Sequence, residues 1–125
     1  MSPKASILLV DDDSAALTLM AASLNRLGLR IFSATNGEKA LEILQAKPSI
    51  DLVITDVVMP VMDGLQATRH IKGCWPQIKV IVLSMYGDYQ VAALAAGADA
   101  FMGKGESPER VLDRIAQVLY DRLQT

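Results

Sequence analysis

Ile7-Leu8-Leu9-Val10-Asp11-Asp12-Asp13 is an unbroken apolar run that ends abruptly in three carboxylates. A strand with one wet face alternates apolar and polar residues, whereas an unalternating run suits a strand covered on both faces. Leu52-Val53-Ile54 and Val80-Ile81-Val82-Leu83 repeat the pattern, and Arg30-Ile31-Phe32-Ser33 and Ala100-Phe101-Met102 are weaker strand candidates. Amphipathic stretches lie between them. Ser14 to Leu27 places Leu17, Ala21, Leu24 and Leu27 at helical spacing. Asn36 is the expected N-cap of a second helix, in which Ala40, Leu41 and Leu44 point inward. Gly64 to Lys72 and Asp88 to Ala96 read as the third and fourth helices, the fourth stopped by Gly97. Ser107 and Pro108 open the fifth, which sets Val111, Leu112, Ile115, Val118 and Leu119 opposite Arg110, Arg114, Gln117 and Asp121. Five strand–helix alternations predict an α/β fold: a five-stranded parallel sheet with helices on both faces, joined by right-handed crossovers.

The 125 residues suit one domain, expected to span residues 1–125. With 51% hydrophobic and 21% charged residues, the chain has enough apolar material for a core and too little charge for disorder. Its net charge of −2 leaves no cationic surplus for phosphate backbones, so direct nucleic-acid contact is not expected. A single cysteine, Cys74, excludes an internal disulfide and suits a reducing cytoplasm. Met1 to Ser6 lacks the apolar core of a signal peptide, and no apolar run approaches the roughly 20 residues that span a bilayer. A cytoplasmic domain without a membrane partner is the expectation.

Sites in parallel α/β sheets form beyond the carboxyl ends of the strands. Asp11, Asp12 and Asp13 follow the first strand, Asp56 the third, Ser84 the fourth and Lys104 the fifth. The fold would bring them to one edge. Crowded carboxylates either keep protons or share a cation, and oxygen ligands without imidazole or thiolate favour a hard ion such as Mg2+. Lys104 adds an ammonium and Ser84 a hydroxyl. A cation, an ammonium and a hydroxyl around one carboxylate meet the needs of phosphoryl transfer to that carboxylate. Taken singly, each residue has a plainer role: Asp11-Asp12 and Asp13 a helix start, Asp56 a turn cap, Ser84 a strand end, Lys104 a solvated lysine. Their conjunction on successive strand ends favours the site.

These residues carry a resemblance to the receiver domains of two-component response regulators, over essentially the whole chain. The matching segments are Ile7 to Asp12, Asp56-Val57-Val58-Met59-Pro60 with Asp63-Gly64, Val82-Leu83-Ser84, and Gly97 to Lys104. The resemblance implies a flavodoxin-like (βα)5 receiver fold. It implies that Asp56 is the phosphoacceptor, with Asp12 and Asp56 binding Mg2+ directly, Asp11 through water, and the Val58 backbone carbonyl as a further ligand. It makes Ser84 and Phe101 the switch pair and Lys104 the contact to the phosphoryl group. The implied donor is a sensor histidine kinase, with Ser84 and Phe101 repacking the surface of the fourth helix, fifth strand and last helix on phosphorylation. Such a domain is a signalling module rather than an enzyme, with at most self-catalysed phosphotransfer and autodephosphorylation.

Leu83-Ser84-Met85-Tyr86, Ala95-Ala96-Gly97-Ala98 and Lys104-Gly105 look most like the LuxR/NarL-type class, implying transcription control through a DNA-binding output domain, or a homodimer partner. The alternative is a stand-alone receiver acting through protein partners. Two departures touch loop geometry: Gly105 stands where many receivers have proline, and Met85 where many have a small residue. Val58 and Tyr86, two residues beyond Asp56 and Ser84, are expected to shield a phosphoryl group from water.

A haloacid-dehalogenase-like phosphatase would use Asp11-x-Asp13, Ser84 and Lys104, but that reading leaves Asp56 without a role, and no clear acidic pair follows Lys104 as a metal-binding motif. A non-phosphorylated pseudo-receiver would be expected to lack one of the acidic residues or the lysine, and none is missing. No Gly-x-Gly-x-x-Gly follows the first strand, which argues against dinucleotide binding. His70 is expected at the surface, Cys74 and Trp75 in packing, and Met59, Met62, Met85 and Met102 as gap-fillers.

Overall fold

Five strands form one parallel sheet, with the second in sequence at one edge, followed by the first, third, fourth and fifth. They are β1 (Ser6–Val10), β2 (Arg30–Ala34), β3 (Leu52–Thr55), β4 (Lys79–Ser84) and β5 (Ala100–Gly103) in a computed structural model that describes residues 5–120. The helices are α1 (Ser14–Arg26), α2 (Gly37–Ala46), α3 (Gly64–Cys74), α4 (Gln90–Ala95) and α5 (Pro108–Tyr120). Asp121 lies outside the described residues. Among those residues no helix is long and apolar enough to cross a membrane.

The unalternating strands are explained by two cores, one on each face of the sheet. Leu8, Val10, Val53, Val80 and Val82 pack with Ala40, Leu44, Ile71 and Ala93 of α2, α3 and α4. The intervening Ile7, Leu9, Leu52, Ile54, Ile81 and Leu83 pack on the opposite face with Leu17, Leu24, Val111 and Ile115 of α1 and α5. Each fully buried leucine or isoleucine removes apolar area worth about 1.5–3 kcal/mol, so the central strands anchor the domain from both sides.

Two helix boundaries differ from the periodicity reading. Leu27 was expected to face inward but is exposed just beyond α1. Gly28 at φ +97° turns the chain there, its N–H donating to Asn25 O (3.1 Å), while Leu29 N–H donates to Leu24 O (3.3 Å). This pattern buries the residue after the glycine against the last helical turn, so Leu29 takes the core place. The fourth helical segment is divided: a 3-10 turn at Gly87–Tyr89 precedes a six-residue α4. Gly97 at φ +108° stops α4 by the same device, with Gly97 N–H on Leu94 O (3.1 Å) and Ala98 N–H on Ala93 O (3.0 Å).

The caps at Asn36 and Ser107 form as expected, accepting from Lys39 N–H (2.8 Å) and Arg110 N–H (3.3 Å). Met59 and Met102 are buried gap-fillers, but Met85 is 74% exposed. Trp75 packs on the core; Cys74, the last residue of α3, is exposed. His70 is exposed as expected.

Candidate functional site

The strand order reverses direction between β1 and β3, where parallel α/β sheets open a crevice at their carboxyl edge. Three of the residues there hang from the last residue of a neighbouring strand by one more backbone hydrogen bond. Asp11 N–H donates to Ala34 O of β2 (3.2 Å), Asp56 N–H to Val10 O of β1 (3.0 Å), and Lys104 N–H to Ser84 O of β4 (2.9 Å). The sheet itself sets their separation.

One carboxylate oxygen each from Asp11, Asp12 and Asp56 lies within 4.8 Å of the others. Asp11 is 8% exposed, and its Oδ1 accepts from Asp13 N–H at 2.9 Å. Lys104 Nζ bridges the cluster, 2.8 Å from Asp11 Oδ2 and 2.9 Å from Asp56 Oδ2. Burial works against the ammonium, but the hydrogen bonds and charges of Asp11 and Asp56 outweigh it and hold the Lys104 pKa above the ordinary lysine value. On formal charges, three carboxylates face one ammonium. The remaining negative charge and the all-oxygen donor set fit a hard divalent cation.

Asp13 stays outside the cluster as the N-cap of α1, accepting from Ala15 N–H (3.1 Å) and Ala16 N–H (3.2 Å). Ser84 is buried at the end of β4, and its Oγ accepts from Tyr86 N–H at 3.1 Å. Phe101 is half-buried on β5 against the α2–α4 core. Val58 and Tyr86 are 53% and 58% exposed, with Tyr86 edge-on to Tyr89 at 6.3 Å. No cis peptide occurs among the described residues; the Lys104 loop is held instead by Lys104 N–H on Ser84 O and Glu106 N–H on Gly103 O (3.3 Å).

Several features escaped the reading of the residues. Gly64 packs so closely on Asp56 that a Cβ there would overlap the Asp56 carbonyl oxygen. Asp63 caps α3 reciprocally with Gln66 and holds this contact in place. In the intervening loop Val61 sits at φ 72°, at the centre of a three-residue turn closed by Met62 N–H on Pro60 O (2.8 Å). A β-branched residue there costs on the order of 1–3 kcal/mol. Asp63-Gly64 was visible as a motif; its steric reason was not, since that depends on where β3 ends.

Residues 7–116 match the family described as response regulator receiver domain. Over 119 residues the chain is 35% identical to the autoinducer 1 sensor kinase/phosphatase LuxN of Vibrio harveyi, covering 95% of this chain and 12% of that protein. Over 117 residues it is 38% identical to the transcriptional regulatory protein AfsQ1 of Streptomyces coelicolor, covering 91% of this chain and 51% of the relative. A CheY-like receiver domain protein from Methanospirillum hungatei superposes with a TM-score of 0.90 at 27% identity, covering 98% of each chain. The chain thus spans between about an eighth and about half of these curated relatives' length, and nearly all of the receiver structure. The topology, the acidic cluster bridged by a lysine and the match over residues 7–116 agree: this chain belongs to the response regulator receiver domain family, the CheY-like phosphoacceptor modules of two-component systems.

Proposed function

We propose that the chain is a single receiver domain in which Asp56 accepts a phosphoryl group from the phosphohistidine of a sensor kinase. The observation that carries this is Lys104 Nζ lying within 2.9 Å of both Asp11 and Asp56, beside three carboxylate oxygens within 4.8 Å of one another. An Asp56 oxygen forms the new O–P bond as the P–N bond to the donor imidazole breaks. The imidazole nitrogen keeps the electron pair and takes up a proton. Lys104, already at Asp56 Oδ2, is placed to follow the charge onto the phosphoryl oxygens. Asp12 and Asp56 would hold Mg2+ directly, Asp11 through water, with the Val58 carbonyl as a further ligand. Bound there, the ion supplies charge neutralisation for the transferring group.

After transfer, Ser84 Oγ–H would turn toward the phosphoryl group and Phe101 inward, repacking the surface of α4, β5 and α5. Local charge thereby biases a two-state element. The named relatives are a sensor kinase/phosphatase and a transcriptional regulatory protein, which supports a kinase partner and an output in transcription control. The LuxR/NarL-type assignment rests on the motifs around Ser84, Gly97 and Lys104 alone, because the relatives include other regulator types.

Phosphorylation by a small acyl phosphate should require Mg2+. Chelation is expected to reduce incorporation to background, and readdition to restore it; full incorporation in chelator would overturn the metal assignment. The apolar Val58 and bulky Tyr86 at the site's rim should slow attack by water. Val58→Asn or Tyr86→Ala is expected to hasten dephosphorylation about tenfold, or roughly 1.4 kcal/mol of barrier. An unchanged decay rate for both would remove the shielding role.

A further inference from the structure

Thr55 is the last residue of β3 and 0% exposed. A hydroxyl so deeply placed must find a partner, because burying it unpaired forfeits its hydrogen bonds to water without replacement. Its Oγ1–H donates to the backbone carbonyl oxygen of the next residue, Asp56, at 2.9 Å. Among the described residues no backbone N–H donates to that oxygen. The same oxygen is also closely approached by Gly64, whose missing side chain leaves it room. Gly64 is itself tethered: its N–H donates to Val57 O at 2.8 Å, and its carbonyl accepts from the buried Thr68 hydroxyl at 2.7 Å.

The Asp56–Val57 peptide is therefore held at its oxygen end. Its other end matters for the site, since Val57 N–H donates to Asp56 Oδ1 at 2.7 Å. A planar peptide turns as one body, so tilting the carbonyl away from Thr55 swings this N–H away from the carboxylate. Asp56 Oδ1 is fixed by the Val57 N–H and Oδ2 by Lys104. Only the first depends on the peptide's tilt.

We infer that Thr55 is a positioning residue for the phosphoacceptor: its buried hydroxyl sets the Asp56–Val57 peptide, which sets the orientation of the Asp56 carboxylate. This rests on Asp56 being the phosphoacceptor, but its first readout does not. Thr55→Val keeps the shape and suits a buried strand while removing the donor; Thr55→Ser keeps the donor.

Amide hydrogen exchange in the metal-free protein is read at Val57, with Asp56 N–H, bonded to Val10 O on the strand ladder, as internal reference. Thr55→Val is expected to speed Val57 exchange roughly tenfold relative to Asp56, and to weaken Mg2+ binding and slow phosphorylation by roughly tenfold each. Thr55→Ser should return all three toward wild type. A variant that lowers Tm and speeds both amides alike has lost a merely structural bond, and that result overturns the inference. So does unchanged Val57 exchange. Absence of phosphorylation in the wild type would sink the phosphoacceptor reading and leave the exchange result standing on its own.

Discussion

Asp56→Asn should reduce acyl phosphate formation to background, a loss of at least about a thousandfold, while the domain stays folded. The amide keeps the shape of the carboxylate and an oxygen for Val57 N–H, but it supplies no anionic nucleophile. It also sets a neutral group against Lys104, which retains Asp11 at 2.8 Å as its partner. Removing one of three crowded carboxylates relieves like-charge repulsion. Thermal stability without metal should accordingly match or exceed wild type. The pairing of lost chemistry with kept stability separates a reacting residue from a structural one. Undiminished labelling of the variant would remove Asp56 from its role, and unfolding would show its charge to be structural instead.

Gly64→Ala should be the most damaging of the glycine-to-alanine changes in the chain. The added Cβ meets the Asp56 carbonyl oxygen, and stands 2.8 Å from the Asp56 carbonyl carbon and 3.1 Å from Val57 Cα. These are backbone atoms at a strand end, so no side chain can swing aside. Either α3 withdraws or the end of β3 shifts, at a cost of about 1–3 kcal/mol or more. For a domain of this size that lowers Tm by roughly 3–6 °C per kcal/mol. Any shift of β3 also displaces the Asp56 carboxylate, so phosphoryl acceptance should fall together with stability. Gly73→Ala is the matched control in the same helix, because nothing lies within 4 Å of the Cβ it would gain. Helix propensity alone predicts a gain of roughly 0.5–1 kcal/mol there. Equal effects at the two glycines, measured by thermal unfolding, would contradict the close approach at Asp56.

The contrast between these glycines marks where sequence reading stopped. Strand type and order of elements were legible because a parallel sheet buried on both faces leaves apolar runs without alternation, as in Ile7 to Val10. The site was legible because parallel strands all send their carboxyl ends to one edge of the sheet. Asp11, Asp12, Asp56, Ser84 and Lys104 were expected there together. Carboxylate oxygens of Asp11, Asp12 and Asp56 lie within 4.8 Å of one another and Lys104 bonds to Asp11 and Asp56, whereas the Ser84 hydroxyl is bonded to Tyr86 N–H instead. Strand order alone could not show that one ammonium bridges two carboxylates, since that depends on side-chain reach across β1, β3 and β5.

Periodicity also misplaced Leu27. Spacing of apolar residues does not reveal that Gly28 reverses the chain and sends Leu29 into the core instead. The division at Gly87–Tyr89 was hidden for a similar reason, because Asp88 to Ala96 has helical composition throughout. Thr55 looks unremarkable in a sequence, and Gly64 shows there only as half of a motif without its steric reason. Their meaning lies in one carbonyl oxygen, which no pattern of side chains encodes.

The central claim is tested most directly by locating the phosphoryl group. The wild-type domain is phosphorylated with an acyl phosphate in the presence of Mg2+, the acyl phosphate is trapped by borohydride reduction, and the peptides are mapped by mass spectrometry. The modification is predicted at Asp56 alone, and absent when the metal is chelated. A modification at Asp11 or Asp12, or one at Asp56 indifferent to chelation, would contradict the assignment of acceptor and metal ligands made here.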